Sequence, residues 1–396
     1  MTLIPHFFRG RPSFIIWGIA SLTLVVWAAF AFGAYHNADN LERQEIEQLS
    51  RGMRTVCVGR FLIDLPAEAQ IELGKTRIHG FDIAVFDETR SDFQQRLADR
   101  KAQLQATVDW LGGTQNLESE RPIRSDSGAT GTIFVHGRKV TEGSRARGLE
   151  LERYRNEGIA TEALVHSDDI SIDMAADYYD PDQLENLPRL VSRLVPNPKN
   201  KVPVEPGFCI ERAYFRDPLT AEQGEQIMMS VHLPRHPDIE FLLILAAGQK
   251  PDVETLLVRA AAAEARLPLL GRLRLSTIRA APRVIGGLAG EELIQFYVEA
   301  NDKHVYPYWW EVNGKEDDVL VPHVVFHMTT GQGQNGPAPA SMSGKAARAL
   351  WETVSSSIRL RPASNVRAID LRKQTGPTVR MPASMPKSTG VYREAA

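Results

Sequence analysis

Two stretches of the chain begin alike and hold its only two cysteines: TVCVGRFLIDLP at 55–66 and PGFCIERAYFRDP at 206–218. Each cysteine, Cys57 and Cys209, is followed by a β-branched residue and, three positions on, by an arginine. What comes after each start also runs in the same order. After Cys57, RFLIDL and FDIAVF read as strands. Ser91 then opens a helix with Gln94 as its capping-box partner. Phe93, Leu97, Leu104, Val108 and Leu111 recur on one face of that helix until Gly112-Gly113 ends it. GTIFVHG, LELERY, IATEALVH and ISIDM follow as strands, Asp180-Pro181 opens a second helix interrupted or bent at Pro188, and the unit leaves as RLVPNP. After Cys209, EQIMMSVHL and IEFLLILA are strands and Asp252 caps the helix VETLLVRAAAAEARL, which stops at Pro268. EELIQFYVEA, VYPYWWEV and VLVPHVVFHM are strands, and the helix GKAARALWETVSS leaves as SIRLRP.

Strands followed by single helices, twice over, predict an α+β chain of two tandem similar domains. Each is expected to be a mainly antiparallel sheet with helices packed on one face. The Pro-rich PNPKNKVPVEP marks the boundary. The expected domains are residues 54–198 and 207–362, with a linker at 199–206 that acts as a stiff hinge. Residues 363–396 are a basic, Pro- and Ser-containing tail with little to bury, expected to be disordered.

From Phe14 to Tyr35 the chain carries no charge, and Ser21 and Thr23 are its only hydroxyl side chains before Tyr35. A helix of that length rises about 30 Å, enough to cross the hydrocarbon layer of a membrane. Arg9 and Arg11 precede the run and Asp39, Glu42, Glu45 and Glu47 follow it. The positive-inside bias therefore puts residues 1–12 in the cytoplasm, 13–35 in the membrane as a single-pass anchor, and the body in the periplasm. Ala29-Phe30-Ala31 leaves open a cleaved signal, although its apolar core is long for one. Residues 36–53 form a polar spacer with Glu47 and Arg51 at i,i+4. The net charge of −3 gives no reason to expect a nucleic-acid partner.

The search for catalytic chemistry ends without a site. GQGQNG at 331–336 has the letters of a dinucleotide fingerprint, but Pro337 and Pro339 follow it and no helix opens directly after it. His323 and His327 share one side of a β-branched strand, with no glutamate between them. Asp168, Asp169, Asp173, Asp177 and Asp180 lack the glycine and terminal glutamate of a calcium loop. Gly344-Lys345 is not a phosphate loop, and neither a Gly-x-Ser-x-Gly elbow nor a Ser-x-x-Lys set is present. No catalytic residue, cofactor, metal or small-molecule substrate is expected. In an oxidising compartment Cys57 and Cys209 are candidates for an interdomain disulfide, with two buried free thiols as the alternative.

TVCVGRFLIDLPAEAQI, PGFCIE, LPRHPDIEF, GGLAGEEL and SSSIRLRP, in that order across residues 54–362, resemble the immunity proteins paired with type VI secretion lipase effectors of the fourth class. The resemblance implies a protein that binds and neutralises a phospholipase effector in the periplasm and so protects its producer from sibling cells. It also implies that two domains grip the effector. The alternative is a membrane-tethered periplasmic scaffold without a lipase partner.

Binding energy concentrates in aromatic residues and arginines, so Tyr306, Tyr308, Trp309 and Trp310 in VYPYWWEV are the candidate contact residues. Neighbours on a strand face opposite sides, which separates Trp309 from the group Tyr306, Tyr308 and Trp310. The polar stretches TQNLESERPIRSDSG and GQGQNGPAPAS are alternative contact loops.

Overall fold

The computed structural model describes residues 52–361 apart from 149, 220–223, 300–302 and 334–335, together with Gln44 and Glu47, both helical. The expected anchor at 13–35 and tail at 363–396 lie outside the described residues. Among those described, no helix is long and apolar enough to cross a membrane.

In the first half, β1 (Met53–Val58) and β2 (Phe61–Pro66) form a hairpin, followed by β3 (Gln70–Ile78), β4 (Phe81–Asp87) and helix α1 (Arg90–Ala106). Then come β5 (Leu117–Arg124), β6 (Thr130–Arg147), β7 (Glu150–Ser167), β8 (Ile170–Tyr179), a 3-10 turn at Pro181–Gln183, α2 (Asn186–Ser192) and β9 (Leu194–Pro196). The second half opens with the hairpin β10 (Gly207–Ile210) and β11 (Ala213–Arg216), then β12 (Glu225–Leu233) and β13 (His236–Ala247). Helices α3 (Leu256–Arg266) and α4 (Leu269–Arg274) lead to β14 (Leu275–Ile285), β15 (Leu288–Val298), β16 (His304–Val312) and β17 (His323–Thr330). The small strands β18 (Gln332–Gly333) and β19 (Gly336–Pro337), helix α5 (Gly344–Ser356) and β20 (Arg359–Leu360) complete it.

One antiparallel sheet of twelve strands runs through both halves, in the order β14-β15-β16-β17-β13-β12-β3-β4-β8-β7-β6-β5. Counted outward from the middle, each half has the same internal order: first, second, sixth, fifth, fourth, third. The junction is the antiparallel pair β3 and β12, with Met229 opposite Leu73 and Val231 opposite Ile71. Two like units joined by adjacent antiparallel strands are related by a two-fold axis normal to the sheet, so they share its faces. The halves are therefore one continuous sheet, and the expected stiff hinge at 199–206 does not govern their relation.

The repeated starts have a second role. The hairpin β1-β2 is completed by β20, with Leu62 opposite Arg359, and the hairpin β10-β11 by β9, with Tyr214 opposite Val195. Each half's opening hairpin is thus closed by the last strand of the other half. The arginines after the cysteines also cross over. Arg60 donates to both carboxylate oxygens of Glu225 at 2.6 and 2.8 Å and to Asp217 at 3.0 Å, and Arg212 donates to Asp87. Cys57 and Cys209 are joined by a disulfide with a Cα–Cα distance of 5.9 Å. Beside it, Gly59 exchanges backbone hydrogen bonds of 3.0 and 2.8 Å with Cys209. Gly59 has φ of +55°, and a Cβ there would stand 3.1 Å from the Phe208 ring, so the crossing point requires glycine.

Helices cover both faces of the sheet, which corrects the one-face expectation. On the core face lie α2, both hairpins and α5, around Ile63, Phe215, Leu190, Phe326 and Trp351. On the other face Phe93 and Leu104 of α1 pack with Phe134 and Leu164, neighbours in sequence of core-facing Ile133 and Val165. Opposite-face placement in the second half follows from α3, whose Arg259 holds both oxygens of Glu311 at 2.7 Å, whereas Trp351 of α5 donates to Glu292 at 2.8 Å.

Several element ends differ from the sequence reading for local reasons. Helix α1 is capped by Thr89, whose hydroxyl accepts from the Asp92 N–H, and ends at Ala106, where the Thr107 hydroxyl takes the Gln103 carbonyl. Val108 and Leu111 therefore lie beyond it and are exposed. Helix α3 starts after Thr255 rather than at Asp252. ELERY and IATEALVH belong to one strand, β7, and the supposed loop 114–128 contains the edge strand β5.

Candidate partner-binding surface

The two faces of the sheet differ in what covers them. On the core face Ile227, Met229, Val231, Phe241, Leu243 and Phe326 are fully buried or nearly so. Their neighbours in sequence point the other way. Register places Met228 opposite Ile244, Ile244 opposite Val325, and Val325 opposite Glu311. One row over run Ser230, Leu242, His327 and Trp309. On the first-half side Glu72, Arg77, Asp82 and Ala84 continue this face and are exposed. Met228, Ser230, Leu242, Ile244, Val325, His327 and Trp309 are half-buried.

Two helices bound this open face. Helix α1 is held over β7 and β8 by Arg100 to Glu162 at 2.7 Å and Arg96 to Asp173 at 2.8 Å. Helix α3 is held over β15 and β16 by Glu311 and by the Leu257 N–H, which donates to Glu291 at 2.8 Å. The five strands between them, β4, β3, β12, β13 and β17, give a floor roughly 25 Å wide at the usual strand spacing. The result is a broad trough with apolar residues in the floor and charged residues at its first-half end. Such a surface suits a large folded partner better than a small molecule.

The four aromatic candidates separate by face. Tyr308 and Trp310 are 1% and 0% exposed, packed beneath α5 against Trp351 and Phe326, so they are core residues and leave the contact set. Tyr306 is half-buried on that same core side, its ring 4.9 Å from Phe296. Trp309 alone lies on the open face, stacked on His327 with ring centroids 3.9 Å apart. His327 also meets the Thr329 hydroxyl at 2.9 Å, and burial lowers its pKa to about 4.

The other motifs resolve into structural roles. His323 and His327 are four residues apart on a strand, a separation of roughly 13 Å that one ion cannot bridge. His323, Asp252 and Glu311 do converge within 4.8 Å, but Arg259 already occupies both Glu311 oxygens. A second cation there would face that guanidinium. Asp168 and Asp169 form the tight β7-β8 turn with φ of 48° and 61°, Asp173 pairs with Arg96, and Asp180 caps the 3-10 turn. A cavity of about 260 Å³ opens beside the disulfide; its basic lining residues Arg54, Lys199 and Lys201 are exposed and Glu211 is half-buried. The signal for the trough was present in the sequence as alternation in EQIMMSVHL and IEFLLILA. Only the pairing partners, set by the tertiary fold, show that these alternating positions form one surface.

Comparison with known proteins gives a consistent result. Residues 54–157 match the model for the Tle cognate immunity protein 4 N-terminal domain, and residues 201–363 the model for its C-terminal domain. No curated protein matches the chain. Among solved structures, immunity protein TplEi of the T6SS from Pseudomonas aeruginosa, complexed with "L" peptide, is 25% identical with a TM-score of 0.61. That match covers 79% of this chain and 99% of the other. The Tle4-Tli4 complex contains a chain 24% identical with a TM-score of 0.64, covering 80% of this chain and 99% of that one. With both domain models matched in order and two thirds of the sequence between them, the chain belongs to the Tle cognate immunity protein 4 family.

Proposed function

We propose that this protein binds and neutralises a type VI secretion phospholipase effector in the periplasm and so protects the producing cell from its siblings. The reading is carried by the match of both family domains on one chain, in order. A related structure is a Tle4-Tli4 complex, and the open trough offers a broad surface for a folded partner. Inhibition by this route is steric: a sheet held by its own crossed strands and disulfide occupies the effector surface and blocks substrate entry. Preorganisation matters here, because a floor fixed by twelve paired strands loses little freedom on binding. We read residues 13–35 as a retained inner-membrane anchor, which would keep the body where lipid is attacked.

The test is a titration of a type VI phospholipase effector of the fourth class, taken from the producing organism, with the purified full chain. Turnover should fall to background at about one equivalent. Full turnover in the presence of excess protein would reject the proposal.

A further inference from the structure

Three leucines on one short ordered helix stand in water. Leu269, Leu270 and Leu273 of α4 are 72%, 73% and 73% exposed, and their spacing puts them on one side of the helix. Isolated exposed leucines need no explanation, but a cluster of three on one turn implies something that covers it. Arginines surround the cluster. Arg266, Arg272 and Arg274 are exposed, and no acidic residue lies between Arg266 and Arg274. Arg272 uses its guanidinium to hold the Leu267 and Ala265 carbonyls at 3.0 and 2.9 Å, which ties α4 to the end of α3.

We infer that the α3-α4 corner is a docking surface for an anionic phospholipid bilayer. Leucine side chains suit the acyl boundary, and arginines beside them can reach phosphate groups while their stems stay in the apolar layer. Each basic residue near an anionic membrane strengthens binding about five-fold. The position in the fold also suits a membrane. Helix α4 leads directly into β14, the edge strand of the sheet, so docking there sets the sheet on its edge and leaves the trough free. The spacer at 36–53 spans at most about 60 Å when extended, and β14 lies roughly 30 Å from the middle of the sheet. The corner is therefore within reach of a membrane that holds the anchor. This inference rests on the tethering part of the proposed function.

The test places an environment-sensitive fluorophore on Leu270→Cys in the full chain. Both native cysteines are buried in the disulfide, which leaves the introduced thiol as the reactive one. The protein is reconstituted in vesicles of phosphatidylcholine alone or with phosphatidylglycerol. Flotation with both vesicle types reports the anchor. Blue-shifted emission, quenched by spin-labelled lipid, is expected at position 270 only in the anionic vesicles. A label on Ser119→Cys, at the opposite edge of the sheet, should stay in water in both.

Arg266→Glu with Arg274→Glu should weaken docking roughly 30-fold or more, because two of these attractions are removed. Vesicles that float with the protein while the label at 270 remains in water would overturn the inference and leave the anchor standing. Failure to float would reject the anchor, and the docking surface with it. A blue shift that appears only on adding the phospholipase would assign the leucines to the effector and overturn the inference as well.

Discussion

The two halves share one strand order and one order of helices, yet they bury their equivalent parts differently. In the second half the closing helix α5 buries Ala346, Ala347, Leu350, Trp351, Val354 and Ser355, whereas its counterpart α2 buries Leu187, Leu190 and Val191. Arg60 is 7% exposed and grips the almost fully buried Glu225, while its counterpart Arg212 meets an Asp87 that is 86% exposed. Repetition therefore fixed the architecture, and the energetics were then divided unequally. Both halves contribute to the shared core, but the second half buries the larger closing helix, while in the first half the outer parts of β6 and β7 stay exposed.

The largest expected effect tests the unequal cores. Trp351→Ala should destabilise the protein by about 3–5 kcal/mol, against about 2–3 kcal/mol for Leu190→Ala in the equivalent helix, measured by denaturant unfolding. Equal costs would remove the asymmetry. Next come the two arginines. Arg60→Met leaves Glu225 buried without its partner and should cost about 3–5 kcal/mol, whereas Arg212→Met should cost less than about 1 kcal/mol.

The third prediction concerns pH. His327 has a folded-state pKa of about 4, below the ordinary value near 6.5, because burial disfavours the charged ring. Between those values the unfolded chain binds more protons than the folded one. Its contribution is therefore complete above pH 6.5 and is lost as pH falls toward 4, by about 2 kcal/mol after allowance for partial exposure. His327→Gln should flatten that part of the stability profile. An unchanged slope would mean that the ring is not desolvated by Trp309 and its neighbours.

Much of this fold was legible in the sequence because it is local. Helix α5 has the bounds expected for GKAARALWETVSS, capped by Ser343. Parity correctly puts Tyr306, Tyr308 and Trp310 on one side of β16. Parity cannot say which side is core, since that depends on where α5 returns to the sheet. LESERPIR reads as loop because an edge strand exposed on both faces shows no apolar alternation. The 3.6-residue period extends α1 through Val108 and Leu111, although the chain leaves the helix at Thr107. Least legible of all is the exchange of closing strands: β9 and β20 are too short to carry a signal of their partners.

The central claim is that the open face of the sheet is the surface that holds the effector. Ser230→Arg with Glu72→Arg adds bulk and charge to adjacent floor positions without entering the core. The most direct measurement is phospholipase turnover titrated with this variant, alongside wild type and a check that the unfolding midpoint is unchanged. If the open face holds the effector, wild type abolishes turnover near one equivalent while the variant leaves most of it. A variant that folds normally and inhibits as well as wild type would contradict that claim.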